Sequence, residues 1–115
     1  MSDELESRHA IDNGDEEIVA GREEREKRAA QKEREDFKTL MGTYHGRAFV
    51  WRLLEKCKVY VSTFSSDPLQ MSFNEGKRFI GLAVMGEVFE VSPVAYKLMQ
   101  DEAEERLRII NGEGS

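Results

Sequence analysis

One cysteine, two prolines, one tryptophan and two histidines in 115 residues leave little material for covalent or metal chemistry. A lone Cys57 cannot close an intrachain disulfide and offers no thiolate cluster to zinc, so a reducing compartment is the default expectation. His9 and His45 stand far apart with no second ligand beside either, and no metal or cofactor is expected. Apolar runs of about 18 residues are missing, as is a charged-then-apolar leader, so neither a membrane span nor export by a signal peptide is expected.

Charge and aromatic content divide the chain. Residues 1–36 hold 13 acids and 7 bases, whereas residues 37–115 hold 10 of each, so the net charge of −6 belongs to the first third. All ten aromatics lie between Phe37 and Tyr96, which places the packed core there. The expected organisation is a charged N-terminal arm over 1–35, disordered or helical when a partner orders it. A packed helical module over 36–112 and a tail over 113–115 follow. A module of this size buries only about 60% of its unfolded surface, so its stability margin is thin.

Within the arm, Asn13-Gly14 signals a turn, and a helix-like segment follows from Asp15. Glu23 precedes Lys27 and Glu24 precedes Arg28 at helical spacing, yet no large apolar residue occurs between Gly21 and Phe37. Ile11, Ile18 and Val19 are therefore the arm's candidate partner anchor. In the module, Phe37, Leu40, Met41 and Tyr44 share one helix face before Gly42-Thr43. Val50, Leu53, Leu54 and Cys57 mark a second helix, with Phe49 flanking it. Val59–Phe64 reads as an extended connection, and Ser65-Ser66-Asp67-Pro68 as a turn that caps a helix beginning at proline.

Ser72 to Glu75 also fits a capping box. The helix beyond it is apolar around most of its circumference, with Phe73, Gly76, Ile80, Ala83, Val84, Val88 and Val91 assigned to its buried face. Gly76, Gly81 and Gly86 are then explained by close approach of neighbouring helices. A last helix follows Ser92-Pro93, with Tyr96, Met99, Ala103, Leu107 and Ile110 as its stripe, and stops at Asn111-Gly112. The fold class is all-α, a compact three- or four-helix module preceded by a charged helical arm.

Catalytic constellations are not found. His45 has no nucleophile to serve, and Cys57 sits on an apolar stripe where a thiol packs as a small hydrophobe. Gly76-Lys77-Arg78 fails as a phosphate loop because Met71 occupies the first glycine position and Arg78 the Ser/Thr position. The acidic pairs around Glu16, Glu23, Asp101 and Glu104 read as solvated faces. Residues 37–100 carry 8 bases and 5 acids, which makes phosphate contact by Arg47, Arg52, Lys77 and Arg78 a minor alternative. Pairing of the basic module with acidic flanks, within or between subunits, is preferred.

Four ordered motifs carry a resemblance. They are Gly46-Arg47-x-x-x-Trp51-Arg52-x-Leu54, Val59-Tyr60-x-Ser62-Thr63-Phe64, Phe73-Asn74-Glu75-Gly76-Lys77-Arg78-x-x-Gly81-Leu82 and Pro93-x-Ala95-Tyr96-x-x-Met99. Over residues 36–100 the chain resembles a family of short tailed-bacteriophage proteins first catalogued in a Bordetella podophage. The resemblance implies an all-helical, non-enzymatic protein encoded among virion structural genes. Lys58 departs from it where the family tends to have glycine, and Ser65-Ser66 replaces a loop glycine.

Physically the motifs read as scaffolding. Trp51 anchors the second helix on the third, Arg47 or Arg52 pairs with Glu75 or Glu87, and Phe64 folds back over the core. Phe73, Gly76, Gly81, Tyr96 and Met99 complete the expected structural core. The functional expectation is a virion or assembly component docking on neck, tail or ejection proteins, homo-oligomeric or part of a multi-subunit assembly. It would reside in the virion, or in host cytoplasm during assembly. A soluble regulator that binds a host protein through the acidic arm, or a weak nucleic-acid binder, is the alternative.

Overall fold

The computed structural model describes the backbone of residues 2–112 and the side chains of residues 14–112. It is 84% helical, with four helices and no strands among the described residues, which makes the fold all-α. The helices are α1 (Ser2–Met41), α2 (Tyr44–Lys56), α3 (Pro68–Val91) and α4 (Pro93–Ile110). The chain divides into two units, Met1–Glu35 and Asp36–Ser115. No single described helix is long and apolar enough to cross a membrane; α3 and α4 together are, but they are bent by 119° at their break.

In the first unit the expected turn at Asn13-Gly14 does not form, and helix runs through both residues. An isolated glycine costs a helix only about 1 kcal/mol against alanine. Its hydrogen on Cα leaves open space here, so there is nothing to force a break.

Each helix of the second unit begins and ends for a local reason. The Thr43 side chain accepts a hydrogen bond from the Gly46 N–H at 3.0 Å and itself donates to the Leu40 carbonyl at 2.9 Å. It thereby closes α1 and opens α2, so Tyr44 starts α2 instead of completing the α1 face. A Cβ on Gly46 would collide with the Leu40 carbonyl, and only glycine fits that corner. Asp67 caps α3 through the Leu69 N–H at 3.0 Å, with Pro68 in the first turn. The capping box at Ser72 is not used. Ser72 lies inside α3, and Glu75 instead accepts a hydrogen bond from the Thr63 hydroxyl.

The turn after α2 has both Schellman hydrogen bonds, Val59 N–H to Leu54 at 3.3 Å and Lys58 N–H to Glu55 at 3.0 Å. Lys58 adopts φ 59° to make them, the backbone region that favours glycine. The connection to α3 is extended and irregular, and the buried Asn74 ties it down by donating to the Thr63 carbonyl at 3.3 Å.

The core is small: Met41, Val50, Leu54, Cys57, Val59, Val88, Ala95 and Met99. Phe37, Trp51, Leu53, Val84, Met85, Val91 and Tyr96 are partly buried around it. Several expected core residues lie elsewhere. Phe64 is 77% exposed and Phe73 61% exposed, and Gly76 faces open space. The inward stripe of α3 is Asn74, Gly81 and Val88, at heptad spacing, not the face that contains Phe73 and Ile80. The reason is steric. A Cβ on Gly81 would stand 2.5 Å from Val59 Cγ2 and 2.6 Å from Cys57 Cβ, so α3 meets the α2 turn at Gly81 and its bulky residues are rotated outward. On α4, Ala95 and Met99 are buried while Leu107 and Ile110 are exposed.

Replacing Lys58 with glycine removes the left-handed strain while keeping both turn hydrogen bonds. Lys58→Gly is expected to raise stability by about 0.5–1 kcal/mol, the penalty for a side chain in this conformation less glycine's larger unfolded-state entropy. Urea denaturation of the two chains reads this as a higher midpoint at unchanged slope.

Candidate docking surface

Among the described residues, neither His45 nor Cys57 has a hydrogen bond or ion pair to another titratable group. His45 is exposed and meets the Tyr44 ring edge-on at 5.5 Å. The Cys57 thiol is buried against Gly81. No group of three or more metal-ligating side chains forms among the described residues. The acidic pairs of α4 are occupied by neighbours: Asp101 pairs with Lys97 at 2.9 Å and Glu105 with Arg108 at 2.7 Å.

Arg47 is a fastener rather than a contact for phosphate or partner. Its Nε and Nη2 donate to the two Glu102 oxygens at 2.6 and 3.1 Å, and Nη1 donates to the Met41 carbonyl at 3.0 Å. One side chain thus ties the end of α1, the start of α2 and the middle of α4 together. Its expected partners, Glu75 and Glu87, are not used, because Glu102 faces it across the α2–α4 contact. Hydrogen bonding to Glu102 holds the guanidinium above its ordinary pKa although burial opposes this. Arg106, one turn beyond Glu102, stacks over the Tyr44 ring at 5.5 Å and extends the same junction.

A second fastener is aromatic, and composition gave no hint of it. Trp51 stacks on Tyr60 at 5.0 Å, the Tyr60 and Tyr96 hydroxyls hydrogen-bond at 3.0 Å, and Tyr96 stacks on Phe89 at 4.6 Å. These four rings link α2, the connection, α4 and α3. Trp51 is half-buried and packs against the core cluster as well as on Tyr60. Burial, then the bond to Tyr96, pushes the Tyr60 pKa well above its usual value.

With the core this small, α3 and α4 leave large apolar side chains in water. Leu69, Phe73 and Ile80 are 83%, 61% and 58% exposed, and with Gly76 and Ala83 between them they form one flank of α3 at spacings of four, three, four and three. Phe79, Leu82 and Phe89 are exposed on the other flank, and Val94 and Leu98 at the start of α4. Lys77 covers the Phe73 ring at 4.7 Å and Arg52 the Phe49 ring at 5.5 Å. Arg52 and Lys77 thus lie against exposed aromatic rings. Ile18 and Val19 of the arm are exposed, and the Ile11 side chain lies outside the described residues. These exposed side chains form the candidate docking surface.

The Arg47–Glu102 pair generates a direct test. Glu102→Ala leaves a guanidinium that is only 11% exposed without its carboxylate and is expected to cost about 1–3 kcal/mol, more than a typical surface pair. Arg47→Lys keeps the charge and loses the bidentate geometry, so it should recover less than half of that. Chemical denaturation of the two single variants and the Arg47→Ala/Glu102→Ala double variant gives the coupling energy.

No curated protein and no solved structure matches this chain. A protein-family match covers residues 37–108, which takes in the end of α1, all of α2 and α3 and most of α4, including Arg47, the four stacked rings, Gly81 and Glu102. The matched segment begins where the packed unit does and extends beyond the motifs that carried the resemblance. The chain belongs to the family of Bbp19-like phage proteins.

Proposed function

We propose that the protein is a non-enzymatic structural or assembly component of a phage particle that docks on larger virion proteins through α3 and α4. The observation that carries this reading is the exposed apolar flank of α3. A phage-family module with a core of eight buried apolar residues carries more large apolar side chains outside than inside. Burying Phe73, Phe79 and Ile80 against a partner would stabilise the complex by roughly 1.5–3 kcal/mol per side chain before association costs. The rim of Lys77 and Arg78 would set orientation more than affinity. The neck, tail or ejection apparatus is the setting proposed for the partner.

Mass spectrometry of purified particles tests the role. Recovery at a constant copy number supports it, and consistent absence across preparations contradicts it. A single stoichiometric host partner recovered with the full chain would favour the regulatory alternative. Deleting residues 1–35 removes none of the core or aromatic contacts described above. The truncated chain is therefore expected to melt cooperatively while failing to enter the particle, and normal incorporation would show that the arm is dispensable.

A further inference from the structure

Charge is unevenly placed on the packed unit. Residues 42–66 hold 4 bases and 1 acid, whereas residues 67–91 hold 2 bases and 4 acids and residues 92–112 hold 3 bases and 4 acids. The basic region is α2 together with the turn that ends it. Along the outer side of α2, His45, Phe49, Arg52 and Lys56 follow each other at spacings of four, three and four, and all four are exposed. Phe49 is 52% exposed, with the Arg52 guanidinium over its ring at 5.5 Å. The opposite charge is as concentrated. Residues 1–17 hold 7 acids and 1 base, the whole net charge of −6, and residues 18–115 hold 16 of each. The last acids of that segment, Asp15, Glu16 and Glu17, are exposed and lead directly into the exposed Ile18 and Val19. Among the described residues, none of Arg52, Lys56, Asp15, Glu16 and Glu17 has an ion pair.

We infer that the outer side of α2 docks the acidic N-terminal segment of a second copy of this chain. The order of residue types sets the direction. On α2 the aromatic ring precedes the cations, and on the arm the anions precede Ile18 and Val19. Only an antiparallel alignment therefore lays Ile18 on Phe49 while Asp15 and the acids before it meet Arg52 and Lys56. Phe49 and Arg52 are three residues apart, as are Ile18 and Asp15, so both pairs fit one register of two helices. A parallel alignment would leave Phe49 uncovered. The donor is a second copy because α1 has no break between Ser2 and Met41 at which its first turns could fold back toward α2. Charge also favours this occupant over a nucleic acid. A chain of net charge −6 repels a polyanion, whereas here the −6 is the docking segment itself. Each copy carries both halves of the contact, so reciprocal exchange gives a twofold dimer. The α2 side is separate from the α3 and α4 surface assigned to virion proteins, and this self-association does not depend on the particle role proposed above.

Sedimentation equilibrium of the full chain reads the contact. The wild-type chain should associate reversibly, and raising salt from about 50 to about 200 mM should weaken the association severalfold. The double variant Arg52→Glu/Lys56→Glu should weaken it by about tenfold or more, because carboxylates then face carboxylates. Lys77→Glu/Arg78→Glu makes the same change of net charge on α3 and should stay within about threefold of wild type, which separates a local contact from general repulsion. Circular dichroism verifies that both variants keep their helices. As an independent readout, carbodiimide treatment of mixed unlabelled and isotope-labelled chains should join Lys56 or Lys58 of one chain to a carboxylate within residues 1–17 of the other. A monomer at all concentrations, an α3 variant that weakens association as much as the α2 variant, or crosslinks confined to single chains would each overturn the proposal. A monomeric chain that binds a short single-stranded DNA, with binding lost in the α2 variant, would overturn it in favour of nucleic acid.

Discussion

The fold turns on the contact at Gly81. The backbone of α3 there comes so near Cys57 and Val59 that no Cβ fits between them. Two other features follow from this closeness. The turn after α2 must present Val59 toward α3, which it does through the left-handed conformation of Lys58 and its two backbone hydrogen bonds. The rotation of α3 is also fixed, so that the positions seven residues either side of Gly81, Asn74 and Val88, face inward with it. Asn74 uses its place to hold the connection, and Val88 fills the centre of the core. The bulkier apolar residues of α3 are left for another surface.

A core of this size gives little hydrophobic stabilisation, and polar and aromatic fasteners supplement it at the periphery. Arg47 joins α1, α2 and α4 with three hydrogen bonds, and the Trp51–Tyr60–Tyr96–Phe89 series joins α2, α4 and α3 on another side. The rings are only partly covered, whereas Arg47 and Glu102 are largely buried and offset their desolvation with hydrogen bonds. Exposed apolar flanks beside a modest core are what supports the docking role proposed for this module. That is the sense in which its membership of a phage protein family and its surface agree.

The helix order, Asp67-Pro68 as a helix start and the Ser92-Pro93 restart were legible in the sequence because each depends on a few adjacent residues, whereas the left-handed turn at Lys58 was not read from them. The inward face of α3 was not. With apolar residues around most of its circumference, periodicity could not choose a side, and the largest residues drew the assignment toward Phe73 and Ile80. The feature that decides it is a glycine, which hydrophobicity ranks low. At two of the three α3 glycines, Gly76 and Gly86, an added Cβ would meet nothing within 4 Å, so glycine alone did not mark the contact either. The partner of Arg47 was missed because Glu102 lies 55 positions away and sits in a run of acids that reads as solvated surface. The aromatic series joins residues from four segments and leaves no local trace.

If Gly81 sets the packing of α3, glycines on the same helix should respond to alanine with opposite signs. Gly86→Ala, with open space around it, should raise stability by about 0.5–1 kcal/mol through helix propensity alone. Gly81→Ala gains the same propensity but must displace Cys57 and Val59, and it should lower stability by a net of roughly 1–3 kcal/mol. Parallel urea melts of the two variants and the wild-type chain measure both. A destabilised Gly81→Ala beside a stabilised Gly86→Ala is the predicted result; equal stabilisation of the two would contradict the central place given to this contact.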